Sequence, residues 1–163
     1  MFKKRKKANK IRKDFLILIF IISSTMCLAQ LKGKVVRVKD GDTIVILDKD
    51  NVQHTIRVAD IDCPEYKQPF SKKAKQYVSD QIYLYEVEIK EKTIDRYGRI
   101  VAYVLYRGKN LSEELLKKGL AWHYVKYSDS DNFQELEDHA KTLKIGLWSI
   151  SNPTAPWDWR KRR

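Results

Sequence analysis

Alternating apolar and polar residues predict three β-strands near the start of the folded part of the chain. Val35, Val36 and Val38 precede a second apolar run at 43–47 and a third at 55–58. Residues 48–51 are polar and separate the last two runs, as a hairpin turn does. They lack the glycine and the distal glutamate of an EF-hand, so a solvated turn is favoured over a calcium loop. The pattern predicts a three-stranded meander over 34–60.

A different periodicity follows this meander and predicts helices. From Pro69 onward the apolar residues recur on one helical face as far as residue 82, and strands are predicted at 84–89 and 100–106. Ser112 is the predicted N-cap of a short helix that ends at Gly119, and a last helix begins near Asp131. This order favours an α+β fold, a five-stranded OB-type Greek-key β-barrel with about three α-helices.

Residues 1–29 have the pattern of an export signal. Eight basic side chains precede an uncharged stretch of 15 residues at 15–29. A membrane-spanning helix needs about 20 apolar residues, so cleavage after Ala29 is favoured over a permanent membrane anchor. Lipid attachment at Cys27 is a weaker alternative, because bulky Met26 precedes it. We expect an exported protein, secreted or periplasmic, with a folded domain at 30–151 and a tail at 152–163.

The formal net charge of +12 is concentrated at the two ends of the chain. Residues 30–159 carry 21 basic and 20 acidic side chains, so the body of the protein is nearly neutral. Net charge therefore does not by itself predict a nucleic-acid partner. Removal of the signal leaves Cys63 as the single cysteine, which excludes an intramolecular disulfide.

Two carboxylates are predicted to meet at one end of the meander. Asp42 opens the second strand and Asp62 closes the third, so antiparallel pairing about the turn near Asp50 brings them together. Carboxylates from neighbouring strands, joined by a backbone carbonyl, suit a hard cation such as Ca²⁺. The Cys63 carbonyl is the candidate third ligand, because Pro64 favours an extended conformation at Cys63. The Cys63 sulfur is a poor ligand for a hard ion.

Arginines near these acids predict a phosphate site. Guanidinium groups bind phosphate oxygens with two parallel hydrogen bonds, and we expect Arg57 and Arg99 to reach one pocket. Glu65 follows Asp62 closely enough to take a proton from a water beside the cation. Each of these signals is weak alone, but together they predict cleavage of a phosphodiester.

Taken in order, these motifs resemble the staphylococcal nuclease family over residues 33 to about 150. The matching stretches lie at 40–43, 57–65, 95–99, 119–121 and 146–148. The resemblance implies a calcium-dependent endonuclease that cleaves DNA and RNA to 3′-phosphate products. It also implies a monomer with no obligate protein partner and with single-stranded substrates favoured.

The resemblance also assigns roles to individual residues. Val125 stands where the family has a second aromatic residue. In the family pattern one Ca²⁺ ion is bound by the acids and a carbonyl, and three residues act in catalysis. Three further residues are candidates for contact with a 5′-phosphate or a base, as cationic and aromatic groups make in single-strand binding sites. The metal ligands are Asp42, Asp62 and the backbone carbonyl of Cys63; the catalytic residues are Arg57, Glu65 and Arg99; the substrate-binding residues are Arg96, Tyr97 and Tyr127.

Two other classes of function stay open at this point. One is a nucleic-acid-binding barrel without catalytic activity, and the other is an exported module that binds a sugar or a protein. The tail at 152–163 also has two interpretations, because its tryptophans and basic residues can extend a nucleic-acid footprint or dock on the barrel.

Overall fold

The computed structural model describes residues 31–162, so the export signal predicted at 1–29 lies outside the described residues. Within this range no helix is both long and apolar enough to cross a bilayer. The strands are β1 Leu31–Val38, β2 Thr43–Leu47, β3 Gln53–Val58, β4 Ile61–Asp62, β5 Glu86–Ile94, β6 Ile100–Tyr106, β7 Lys109–Asn110 and β8 Trp122–His123. The helices are α1 Ser71–Ile82, α2 Leu111–Lys117, α3 Asp131–Thr142 and α4 Pro156–Lys161, with a 3₁₀ helix at Gly146–Ser149.

Five strands form a closed barrel. They are hydrogen-bonded in the order β3-β2-β1-β5-β6, each pair antiparallel, and a parallel pairing of β3 with β6 closes the ring. Closure leaves no long free edge, which is how small barrels avoid edge-to-edge association. Alternate residues point inward and are fully buried, among them Val35, Ile44, Ile46, Ile56, Val58 and Val104. The predicted five-stranded α+β barrel is confirmed.

Several element boundaries differ from the prediction. β5 begins at Glu86 and runs to Ile94, past the expected end at residue 89, because a register shift lets the strand continue to pair with β6. Helix α1 begins at Ser71. Leu143, which helical periodicity places on the apolar face of the last helix, instead follows α3 and is 56% exposed. A fourth helix, α4, forms in the tail.

Helix α4 docks on the barrel domain through an aromatic contact. Trp157 stacks on Tyr124 with ring centroids 5.1 Å apart and an interplanar angle of 8°, and it meets Trp122 edge-on. Pro156 is buried at the start of the helix. The Gln68 side-chain amide donates a 2.6 Å hydrogen bond to the Thr154 carbonyl. The tail therefore docks a tryptophan, as one of its two interpretations expects.

The sequence predicted that Asp62 closes the third strand, and this prediction is wrong. β3 ends at Val58, and Asp60 has a φ of 64°, a left-handed conformation that interrupts a strand. Asp62 belongs to the separate strand β4, where it pairs with Trp122 of β8. This turn redirects the chain, so that β4 is held by β8 and not by the meander.

The turn between β3 and β4 is held from three sides. The Ala59 amide donates to the Ala102 carbonyl of β6 at 2.8 Å, and the Ser112 hydroxyl donates to the Ala59 carbonyl at 2.9 Å. The Asp60 carboxylate pairs with Lys92 at 2.6 Å and accepts a hydrogen bond from the Tyr103 hydroxyl. These contacts fix the backbone immediately before Asp62.

Ser112 is thus not the N-cap of α2. Asn110 is the N-cap, and its side-chain oxygen accepts from the Ser112 amide at 3.0 Å. The Asn110 side chain thereby satisfies an amide of the first helical turn that has no partner within the helix. The Ser112 hydroxyl is therefore available for the Ala59 carbonyl.

Replacing Ser112 by Ala should destabilise the protein, because it leaves the Ala59 carbonyl without its hydroxyl donor. We expect the free energy of unfolding to fall by roughly 1–3 kcal/mol, measured by urea denaturation. Asn110→Ala is the matched comparison and should cost about 1 kcal/mol as a lost helix cap. An unchanged denaturation midpoint for Ser112→Ala would contradict this role.

Candidate active site

Arg57 joins the two predicted metal-binding carboxylates. Its guanidinium lies 3.2 Å from Asp42 Oδ2 and donates to Asp62 Oδ1 at 2.9 Å, while Nη1 also donates to the Val58 carbonyl at 2.8 Å. All three charged side chains are shielded, with 13% of Arg57, 10% of Asp42 and 2% of Asp62 exposed. The structure therefore brings these three predicted site residues together in a largely dry setting.

Strand register explains how these side chains meet. Thr43 pairs with Arg57 in the β2–β3 ladder, and the Val58 amide donates to the Asp42 carbonyl at 2.8 Å. Asp42 therefore lies at the same end of the barrel as the turn that leads into Asp62. Burial raises the pKa of Asp62, and the hydrogen bond from Arg160 opposes that rise.

The Asp42 carboxylate is oriented by two further donors. The Cys63 amide donates to Oδ2 at 2.7 Å, and the Thr43 hydroxyl donates to Oδ1 at 3.2 Å. Cys63 itself is buried, and burial raises the pKa of its thiol well above the ordinary value, with the charge of Asp42 adding to the rise. A neutral, buried thiol agrees with a role for Cys63 through its backbone.

Gly41 is required by a close approach between this loop and α1. A Cβ atom on Gly41 would lie 2.8 Å from the Cβ of Ala74 and 2.8 Å from the Cβ of Cys63. Real Cβ atoms do not approach other atoms that closely, so the loop can pass between the helix and β4 only without a side chain. The glycine of the Asp-Gly-Asp stretch thus sets the distance between Asp42 and its neighbours.

Asp40 is a second acid of this loop, beside Asp42, and the sequence did not assign it to the site. Its Oδ1 accepts a 3.1 Å hydrogen bond from the Asp42 amide, and the residue lines the same cavity as Glu65. Desolvation in the cavity wall and the charge of Asp42 raise the pKa of Asp40 to about 6, although part of the residue faces solvent. Its position two residues before Asp42 was the signal that could have identified it.

Glu65 lies in the wall of a cavity of about 370 Å³. Asp42, Asp40 and Cys63 share this wall. The same cavity carries three lysines that sequence reasoning did not assign to the site, and their charge favours an anionic ligand. These are Lys39, Lys72 and Lys75.

Arg160 of α4 reaches this cluster from the C-terminal tail. Its guanidinium lies 2.8 Å from Asp62 Oδ2 and 2.5 Å from Glu65 Oε1, and it also contacts Asp62 Oδ1 at 3.3 Å. Burial lowers the pKa of Arg160, but the hydrogen bonds to Asp62 and Glu65 outweigh it, and the net pKa is raised. The sequence showed only a basic run here, without a pattern that linked Arg160 to Asp62.

Arg99 lines a second cavity, of about 440 Å³. Its Nε donates to Asp95 Oδ2 at 2.7 Å, and the Arg99 guanidinium lies 5.6 Å from the centroid of the Tyr97 ring. Lys39 lines both cavities, so they adjoin. Arg57 lines neither of these two cavities, so the expectation that Arg57 and Arg99 reach one pocket stays a prediction.

The predicted substrate-binding residues lie on exposed surface. Tyr97 is 69% exposed and lines the second cavity, and Arg96 stacks on its ring at 4.8 Å and donates to its hydroxyl. Tyr127 is 63% exposed and packs edge-on against Tyr124. Val125 is exposed to the same degree. Exposed aromatic rings of this kind are suited to stacking with bases.

The donor atoms of the first cavity are hard oxygens. Within residues 31–162 no group of three or more His, Cys, Asp or Glu side chains has the arrangement of a metal site. A cation here would therefore rely on two carboxylates, with backbone carbonyls and solvent completing its shell. His123 is buried between Ser128 and Gln134, in hydrogen-bonding contact with both.

Known proteins that are similar to this chain include nucleases. A family model described as "Staphylococcal nuclease homologue" matches residues 55–150. An "uncharacterized endonuclease" of Haemophilus influenzae is 37% identical over 94% of this chain and 86% of its own length. A "micrococcal nuclease" of Shigella flexneri is 36% identical over 88% of each chain. A "staphylococcal-like nuclease" of Arabidopsis thaliana is 41% identical over 66% of this chain, which spans a third of that longer protein.

Replacing Gly41 by Ala should disrupt the site by overpacking. The added methyl group collides with Ala74 and Cys63, so we expect the free energy of unfolding to fall by about 1–3 kcal/mol, measured by urea denaturation. The displaced Asp42 should also weaken binding of a divalent cation, measured by calorimetry. A variant that unfolds like the parent and binds the cation equally well would show that the close approach is not required.

Proposed function

The chain belongs to the staphylococcal nuclease family, and we propose from that membership and from the site that it cleaves DNA and RNA with the help of one Ca²⁺ ion. The proposed products carry 3′-phosphates. The observation that carries the proposal is the contact of Arg57 with both Asp42 and Asp62, beside Glu65 and a lysine-lined cavity. Such a pairing of acids and arginine suits a cation and a phosphate held side by side.

The donor chemistry of the cavity fits a hard cation. Asp42, just before β2, and Asp62, in β4, present carboxylate oxygens, and burial keeps the thiol of Cys63 protonated by raising its pKa. The residues that would hold Ca²⁺ are Asp42, Asp62 and the Cys63 carbonyl, with Asp40 beside them. When bound, Ca²⁺ supplies positive charge that offsets the negative charge developing on the phosphate.

Arg57 has donors for a substrate phosphate in addition to its observed contacts. A guanidinium carries five N–H donors, and its contacts to Asp42, Asp62 and the Val58 carbonyl use part of them. Because Arg57 is nearly buried, its orientation is set before a substrate arrives. It therefore holds one phosphate oxygen in a fixed position.

Glu65 is the proposed base. It lies on the cavity wall with 31% of its side chain exposed, so that solvent reaches it. Glu65 orients and deprotonates the attacking water, which bonds to phosphorus as the bond to the 5′-oxygen breaks. The 5′-oxygen takes a proton and leaves as a hydroxyl, and the phosphate stays on the 3′ side.

Arg99 acts on the phosphate from the adjoining cavity. Asp95 accepts from its Nε and from its backbone amide, which fixes the direction of the guanidinium. Tyr97 and Arg96 border the same region and are placed to contact the neighbouring nucleotide. A substrate strand that passes Lys39 would reach both cavities.

Removing the Asp42 carboxylate should abolish cleavage without abolishing the fold. With purified protein, single-stranded DNA and Ca²⁺, we expect Asp42→Ala and Glu65→Gln to lower the cleavage rate by at least about 100-fold. Chelation of the metal should stop cleavage by the parent protein. Asp129→Ala is the control, because Asp129 is exposed and outside both cavities.

Two results would contradict this assignment. Cleavage that persists in chelator would exclude the metal dependence. DNA binding by the parent without cleavage would favour the binding barrel that lacks catalysis.

Replacing Arg99 by Lys should preserve the positive charge but lower the rate of cleavage. A lysine provides one point charge in place of the planar fork, so we expect kcat/KM to fall by roughly 100-fold with an unchanged melting temperature. Arg107→Lys is the matched control, since Arg107 lies outside both cavities and contacts Tyr85. Hydrolysis by Arg99→Lys at the parent rate would remove Arg99 from the catalytic residues.

A further inference from the structure

The C-terminal helix places a third arginine on the acids of the candidate active site. Arg160 binds both oxygens of Asp62 and one oxygen of Glu65, at 2.5–3.3 Å. The chain between these partners is long, because Arg160 follows Glu65 by 95 residues. The contact therefore depends on the docking of α4 and not on local sequence.

The docking of α4 does not rely on Arg160. Trp157 is stacked on Tyr124 and touches Trp122, and Thr154 is hydrogen-bonded to the buried Gln68 side chain. These contacts hold the helix against the barrel even if the guanidinium moves. The Arg160 side chain, 41% exposed, can leave the acids while the helix stays in place.

The oxygens that Arg160 occupies are those a cation would need. Arg57 contacts Asp62 Oδ1 at 2.9 Å, and Arg160 contacts Asp62 Oδ2 at 2.8 Å, so both oxygens of this buried carboxylate already have a positively charged partner. A divalent cation placed on Asp62 would face the Arg160 guanidinium at close range. Two positive groups at that distance repel each other, most strongly where little water screens them.

We propose that Arg160 is an internal counter-ion that competes with the divalent cation for Asp62 and Glu65. In the metal-free protein it neutralises the two acids, and binding of the cation displaces its guanidinium into the adjacent solvent. The nuclease consequently needs a higher concentration of cation than the barrel alone would need. This inference rests on the proposed function, since it assumes that the cation binds at Asp42 and Asp62.

Lys161 provides a matched control on the same helix. It follows Arg160 directly, carries the same charge, and pairs with Asp158 at 2.8 Å. Its side chain is 74% exposed and it contacts none of the acids of the site among residues 31–162. A change that arises from the overall charge of the tail would appear equally in Lys161→Gln and in Arg160→Gln.

The test is the affinity for Ca²⁺, measured by titration calorimetry on the purified protein without substrate. We expect Arg160→Gln to lower the dissociation constant by about tenfold, and Lys161→Gln to leave it within about twofold of the parent. The dissociation constant of Arg160→Lys should lie between those of Arg160→Gln and the parent, because lysine retains the charge but loses the two-pronged contact. Asp42→Ala should abolish binding in every background.

Thermal unfolding gives an independent readout. In chelator, Arg160→Gln should melt below the parent, because Asp62 loses a partner. At saturating Ca²⁺ the two proteins should have the same melting temperature, because Arg160 of the parent has then been displaced and no longer stabilises the fold. A purely structural ion pair would instead lower the melting temperature equally in both conditions.

The outcomes separate this inference from the proposed function. If Asp42→Ala abolishes Ca²⁺ binding but Arg160→Gln binds like Lys161→Gln, or binds more weakly than the parent, the counter-ion role is wrong and the metal site stands. If neither the parent nor Arg160→Gln binds Ca²⁺, the metal site and the inference both fail.

Discussion

The contact of Arg57 with Asp42 and Asp62 is the interaction on which the arrangement of the site depends. Two carboxylates brought together in a buried setting repel each other, and each loses favourable hydration. A guanidinium that donates to Asp62 and lies in ion-pair contact with Asp42 offsets the repulsion. Removal of a single partner would leave an uncompensated buried charge, so the three side chains act as one unit.

The backbone around this unit is fixed by elements far apart in the sequence. The turn at Ala59 and Asp60 is held by β6 and α2 through Ala102 and Ser112, and strand β4 is held by β8. The pairing of Asp62 with Trp122 also locates α4, because Trp122 contacts Trp157. A single short strand pair therefore determines both where Asp62 points and where Arg160 arrives.

Charge acts locally in this protein. The body has nearly as many acidic as basic side chains, yet Lys39, Lys72 and Lys75 gather around one cavity and Arg96 and Arg99 border the next region. Fields from such clusters attract an anionic ligand regardless of the total charge. The basic tail, which contributes strongly to the formal charge, instead directs one of its arginines toward acids of the same chain.

The sequence by itself determined the barrel, the family and the identity of the residues around the acids, because apolar periodicity and short spacings are properties of neighbouring residues. Asp42 and Arg57 could be placed together, since a hairpin register relates positions close in the chain. Asp62 was expected beside them for the wrong reason, because it belongs to β4 and not to the hairpin. Tertiary structure alone decided that β3 ends at Val58 and that Arg160 reaches Asp62. Each of these depends on contacts between distant segments, on a left-handed residue at Asp60, or on aromatic packing of α4, and no local pattern encodes such long-range geometry.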